Sequence, residues 1–282
     1  MVAAPDTRVD AQPSCPTVDA LVLAGDRGPG DPLLEGQEAG SKVMRPVAGR
    51  PMLARVLEAL HEAGCVETVH VVGPEPERQG PAREMAEDLG LAVTWHAPAA
   101  SPATSVAAVL ERIPAGRRVL LVTGDHALLR PEWIREFTSH AVATEADVAL
   151  AMVDWLAICA AWPESRRTRY RFRDGQFCGG NLFLFATPDG RRMASIWRRV
   201  EQDRKRPWRV VRLIGPGALV AFLARRLTLE GAFRRLSSRF GLRARPVLMD
   251  DPEVAVDVDK PEDLALVESI LRGRDAERSE VT

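Results

Sequence analysis

Through the first half of the chain, short apolar runs alternate with longer stretches whose apolar residues recur every three or four positions. Near-continuous apolar runs suit strands buried on both faces, and the longer period suits helices with one buried face. The runs predict strands over 18–24, 66–72, 91–95, 118–122 and 147–153. The periodic stretches predict helices over 52–63, 81–89 and 101–112, and another opening at Pro131. In 52–63, Leu53, Val56, Leu57 and Leu60 share a face, and Gly64 stops the helix. In 101–112, Val106, Val109 and Leu110 point inward. Pro131 sits in a first turn, where its missing N–H has no partner to lose, and Trp133, Ile134 and Phe137 follow it. This alternation predicts an α/β domain, a mostly parallel sheet covered by helices on both faces.

The second half is less regular. Strands are expected over 168–172 and 181–185, around a turn at Asp174-Gly175. From 191 to 245 the chain turns basic and helical, with a break at Gly215-Pro216-Gly217. A late strand is read over 246–249, another over 254–258, and a last helix over 261–271. Residues 1–17 read as a disordered lead and 272–282 as a frayed, charged tail. This leaves one domain over 18–271, with 191–245 as a helical insertion or lid.

Composition narrows the function classes. Hydrophobic residues are 46% of the 282, enough for a sizeable core, and a formal net charge of −1 predicts no nucleic-acid partner. Cys15, Cys65, Cys159 and Cys178 are scattered without a CxxC pair, which argues against a zinc site and for reduced thiols. The first residues lack a signal peptide's apolar run, and no stretch approaches the ~20 apolar residues of a membrane span. A cytoplasmic protein is expected. The cationic residues are almost all arginine; only Lys42, Lys205 and Lys260 are lysine.

The chemistry concentrates between the first strand and the first helix. There Leu23-Ala24-Gly25 leads into a loop with Asp26, Arg27, Gly28, Gly30, Gly36 and Gly40, and then reaches Lys42 and the turn of Pro46, Gly49 and Pro51. A buried strand feeding such a loop brings backbone N–H groups up to phosphate oxygens, and lysine adds a mobile point charge. No Gly-Lys-Ser/Thr follows, so this is not a Walker loop. Further on, Gly124 and Asp125 follow a buried strand, where a carboxylate stands over the ligand crevice of an open α/β sheet. Near the C-terminus the chain reads Asp257-Val258-Asp259-Lys260-Pro261-Glu262-Asp263-Leu264. Asp259 there also suits a helix N-cap ahead of Pro261.

The Leu23-Ala24-Gly25 start, the Lys42, Pro46, Val47, Gly49, Pro51, Met52 pattern and the late acidic motif resemble the MobA-like and sugar-phosphate nucleotidyltransferases. Asp26 departs from that family's second glycine, Arg27 is the nearest match to its arginine, and the loop is longer. The resemblance implies a Rossmann-like fold and NMP transfer from an NTP to a phosphate-bearing acceptor, with release of pyrophosphate. It implies that Leu23, Ala24, Gly25, Asp26, Arg27 and Gly124 line the nucleotide site. Lys42 and Asp125 would be catalytic. Mg²⁺ or Mn²⁺ would sit on Asp125 and Asp259, with Asp257 as an alternative ligand or supporting partner. Thr104 or Ser105 would touch the base, and the Ser105-Val106 pair leans toward CTP, with GTP next. Gly180 and Asn181 in a Gly-x-Asn strand, with Arg169 and Arg171 upstream, would meet the acceptor.

Arg169, Arg171 and Arg173 alternate onto one strand face, which suits a phosphate and equally suits a charged edge strand. The basic 191–245 segment suits contact with an anionic membrane surface and a lipid-precursor acceptor, and equally a lid or a homodimer surface. Two other activities stay open: a glycosyltransferase of GT-A type using a nucleotide-sugar, and a non-catalytic nucleotide-binding module. A carboxylate at Asp26 beside a phosphate loop is the reason to keep the second.

Overall fold

The computed structural model of the chain describes residues 15–26, 31–34, 41–203 and 215–281. Arg27, the glycines at 28, 30, 36 and 40, and most of the expected lead lie outside the described residues. So do residues 204–214 of the basic segment.

The first strand, β1 (Val18–Leu23), is buried at every position but its last; its one charged residue, Asp19, is held there by the Arg117 side chain, which donates to both carboxylate oxygens at 3.0 and 2.6 Å. A short hairpin of β2 (Pro46–Val47) and β3 (Arg50–Pro51) turns through Ala48 and Gly49, at φ 47 and 74. Next come β4 (Val66–Val72), β5 (Val93–His96), β6 (Val119–Thr123) and β7 (Val148–Asp154). They are followed by β8 (Tyr170–Arg171), β9 (Gln176–Phe185) and β10 (Ala244–Met249). The main sheet runs β10-β7-β9-β6-β1-β4-β5, with β8 paired to the start of β9. All its strands are parallel except β9, antiparallel between β6 and β7, and β8.

Nine helices are described: α1 (Met52–Glu62), α2 (Gly80–Asp88), α3 (Pro102–Leu110), α4 (Pro131–Ala143), α5 (Trp155–Ala161), α6 (Pro188–Gln202), α7 (Pro216–Leu223), α8 (Leu229–Phe240) and α9 (Pro261–Val281). They cover both faces. Ala20 and Val22 of β1 pack with α1, α2, α4 and α9, whereas Leu21 packs with α3 and α6. The α/β fold with helices on both faces is therefore as the pattern predicts. Among the described residues, no helix is long and apolar enough to cross a membrane.

Four expectations change. Residues 254–258 are not a strand: Asp251 Oδ1 accepts the Glu253 N–H at 3.0 Å and starts a 3-10 turn, Pro252–Ala255. The strand over 168–172 shrinks to Tyr170–Arg171, so Arg173 lies beyond it, with its N–H on Leu227 O at 2.7 Å. The strand read as starting at 181 starts at Gln176. The last helix continues past Leu271 through most of the expected tail.

Candidate active site

Parallel strands deliver their following loops to one end of the sheet, and the site is built there. Asp125 follows β6 directly. Gly124 makes room for the approach: its N–H bonds Leu23 O at 2.7 Å. A Cβ there would stand 3.0 Å from Val43 Cγ1 and 3.2 Å from Leu23 O. Gly73, at φ +87, does the same beneath the loop, where a Cβ would stand 2.8 Å from both Ala24 O and Gly25 Cα.

Lys42 opens a 3-10 turn, Lys42–Met44, and its side chain is buried. Asp26 fixes that turn: its Oδ1 accepts the Lys42 N–H at 2.8 Å and the Ser41 hydroxyl at 2.9 Å. Arg78 stands 3.6 Å from its other oxygen. Asp26 is thus committed to the backbone of the lysine segment, with the Arg78 guanidinium beside its charge.

From this turn the Lys42 Nζ donates to Asp125 Oδ2 at 2.5 Å and to Asp259 Oδ1 at 2.7 Å. Residues 83 and 217 positions apart in sequence thereby share one ammonium group. Burial opposes the charge on Lys42, but the carboxylates of Asp125 and Asp259 outweigh it and raise its pKa. Asp259 is brought here by the backbone, since Val258 N donates to Asp125 O at 3.1 Å.

The other residues expected at the site fall into distinct roles. Asp257 is held by Arg167, whose Nη1 donates to its Oδ1 at 2.5 Å and to Ala255 O at 2.8 Å. Burial, and then the nearby charge of Asp125, push the Asp257 carboxyl upward in pKa. Asp263 Oδ2 accepts the Asp259 and Lys260 N–H groups at 3.2 and 3.1 Å, and the Lys260 side chain is exposed. Ser101 caps α3 by accepting the Thr104 N–H, and Thr104 Oγ1 lies 2.9 Å from Ser101 Oγ. Ser105 is buried and accepts the Ala99 N–H at 2.9 Å, which leaves its proton and one lone pair to offer a base.

Gly180 is a packing glycine, because a Cβ there would stand 2.9 Å from Ala151 Cβ and 3.0 Å from Val254 Cγ1. Asn181 Nδ2 is buried without a hydrogen bond among the described residues. Arg169 lies over the Trp155 ring at 5.4 Å, and Arg171 is exposed on β8. β8 meets β9 at Phe177, opposite Asp154 at the carboxyl end of β7.

Two residues with no assigned role in the sequence reading matter here. Arg167 is the clamp on the Asp257–Asp263 segment, and only its place in an arginine-rich stretch pointed to it. His126, beside Asp125, is fully buried and stacks on Trp133 at 6.0 Å, with neither ring nitrogen hydrogen-bonded among the described residues. Burial drives its pKa down to about 4, so the ring is neutral at pH 7.

The site suits a hard dication. Asp125 Oδ1 is buried and accepts no hydrogen bond among the described residues, and two carboxylates converge on one cationic nitrogen. No group of three acidic, histidine or cysteine ligands occurs among the described residues, so water or substrate oxygens would complete the shell.

Residues 20–214 match the model of the MobA-like NTP transferase domain. The chain belongs to that family. The match contains Lys42 and Asp125 and ends before Asp259. Among solved structures, the chain is similar to a hypothetical transferase from Thermus thermophilus, with a TM-score of 0.71 and 34% identity, covering 88% of this chain and 99% of that one. A CMP:2-keto-3-deoxy-manno-octonic acid synthetase shares the fold at a TM-score of 0.57 and 15% identity, over 92% of this chain and 99% of that one. Among curated proteins, the Bifunctional protein GlmU of Symbiobacterium thermophilum is 32% identical over 168 residues, 58% of this chain. The GlmU of Stenotrophomonas maltophilia is 34% identical over 101 residues, 34% of this chain. The aligned parts span 34% and 20% of those two relatives.

Proposed function

We propose that this chain transfers NMP from an NTP to a phosphate-bearing acceptor and releases pyrophosphate. The observation that carries the reading is the meeting of Lys42, Asp125 and Asp259 at one point. The triphosphate lies under the loop that follows β1, with its phosphates toward Lys42. An acceptor phosphate oxygen attacks the α-phosphorus in line, the bond to the bridging oxygen of the β-phosphate breaks, and pyrophosphate departs. A phosphate acceptor is already anionic, so no general base is required. Asp125 and Asp259 would hold Mg²⁺ or Mn²⁺, which when bound supplies charge neutralisation on the triphosphate.

The chain's own residues supply the rest. The raised pKa of Lys42 keeps its positive charge in place for oxygens that gain charge in the transition state. Arg167 fixes the segment that carries Asp259. Gly124 lets the Asp125 turn pack against Val43 and Leu23. Arg169, Arg171 and Asn181 are assigned to the acceptor. Base contact falls to Thr104 and the Ser105 hydroxyl, with CTP the first candidate and GTP the second.

Pyrophosphate release from each of the four NTPs, against a panel of sugar phosphates, tests this reading. Asp125→Ala is expected to lower turnover by roughly a thousandfold while the protein stays folded. Normal turnover in that variant removes Asp125 from the mechanism. Turnover of a nucleotide-sugar without pyrophosphate release would instead identify a glycosyltransferase, and binding without turnover a nucleotide-binding module.

A further inference from the structure

A cleft of about 700 Å³ lies away from Lys42, on the helical segment after residue 215. Its lining contains Arg173, Arg226, Arg234, Arg235 and Arg239, with Thr228, and no acidic side chain. Three segments frame it. Arg173 N–H bonds Leu227 O at 2.7 Å, Asp174 accepts the Leu229 N–H at 3.0 Å, and Arg235 Nη1 reaches Gly217 O at 3.3 Å. Across 215–245 the sequence has seven arginines, no lysine and one acidic residue, Glu230, within a chain whose net charge is −1. Glu230 faces Arg245, outside the cleft. The positive charge is therefore local, and guanidinium forks select phosphate oxygens by geometry as well as charge.

The neighbouring helix adds an apolar element. In α7, Phe222 turns inward to meet Phe172 edge-on at 5.4 Å. Val220 and Leu223, three positions apart and so on a shared side, are 65% and 70% exposed. A soluble phosphate would use the arginines and leave these two side chains in water. A bilayer would use both, with headgroup phosphates in the cleft and Val220 and Leu223 in the boundary layer.

We propose that the cleft on α7 and α8 is a docking site for the phosphate headgroups of an anionic lipid surface, seated by Val220 and Leu223. This site is independent of the transfer reaction. It would hold the enzyme at a membrane surface whatever nucleotide it uses.

The test is co-sedimentation of the full chain with phosphatidylcholine vesicles and with vesicles that also contain phosphatidic acid, at low and high salt. A parallel arm measures binding of soluble inorganic pyrophosphate, and another that of a single-stranded oligonucleotide. The expected result is binding to the acidic vesicles alone, weakened by salt. Arg226→Gln with Arg234→Gln should lower the partition coefficient by about thirtyfold, from roughly fivefold per arginine. Val220→Ser with Leu223→Ser should lower it by roughly tenfold or more. Melting temperatures should stay within a degree or so of the parent, because all four side chains are exposed. Asp125→Ala should bind vesicles normally, which separates this site from the active site. The proposal is overturned if acidic vesicles bind no better than neutral ones. It is equally overturned if the serine variant binds as the parent does, or if pyrophosphate or the oligonucleotide binds at the arginines while vesicles do not.

Discussion

Replacing Lys42 with methionine keeps most of the side chain's volume and removes its charge. The consequence follows from the site geometry. Lys42 is 3% exposed, and its ammonium lies 2.5 and 2.7 Å from two carboxylates. Without it, Asp125 and Asp259 face each other with no cation between them. Removing one partner of a buried ion pair costs about 3–5 kcal/mol. The Asp125 and Asp259 side chains keep 17% and 29% of their exposure, so water screens part of the repulsion and the lower end, about 3 kcal/mol, is expected. In a domain of this size that lowers the melting temperature by roughly 6–9 °C. Added Mg²⁺ should recover much of the loss in Lys42→Met and raise the parent's melting temperature less, because the parent already carries a cation at that point. Scanning calorimetry with and without Mg²⁺ reads both effects. A variant that melts within a degree of the parent, or one to which Mg²⁺ gives no more than it gives the parent, would refute the electrostatic coupling of these three side chains.

Two stability predictions check the frame around the site. A Cβ at Gly190 would collide with Asp147 O, an atom that also accepts the Ala186 N–H at 2.9 Å, so the start of α6 must shift. Gly190→Ala should therefore cost about 3 kcal/mol or more in urea unfolding, and a loss under 1 kcal/mol would show that α6 is loosely seated. Asp147 is buried, which opposes its charge, but the Arg243 side chain and N–H and the Thr187 hydroxyl hold its carboxyl below the ordinary 3.8. That stabilisation is present above 3.8 and is lost as pH falls through the lower folded value. The stability gap between the parent and Asp147→Asn should thus be constant from pH 7 to 5 and narrow below pH 4; a pH-independent gap would contradict the assignment.

The elements legible in the sequence were those whose surroundings are uniform. β1, β4, β6 and β7 lie inside the sheet, so their sequences are mostly apolar and their lengths could be read closely. The first half of β9 was hidden because Gly179 and Gly180 are poor strand formers. The smallness of Gly180 instead lets the strand pass close to Ala151 and Val254. α5 was missed because seven residues capped by Asp154 are too few to show a period. The end of α9 was read as a frayed tail because its charged sequence carries no apolar stripe, yet arginine and glutamate are good helix formers.

The site follows the same logic, with one informative departure. Lys42, Asp125 and Asp259 could be named because each sits in a short motif whose spacing is local. Arg167 could not, since it acts across 90 positions and looks like the other arginines around it. Asp26 was visible as a residue, and next to a phosphate loop a carboxylate reads as repulsion. The sequence could not show that its Oδ1 is already filled by the Lys42 N–H and the Ser41 hydroxyl. A glycine there would leave that N–H to find another acceptor, and the segment that aims Lys42 would lose its anchor. Asp26 thus ties down the Ser41–Lys42 backbone at the point from which the ammonium is aimed at Asp125 and Asp259.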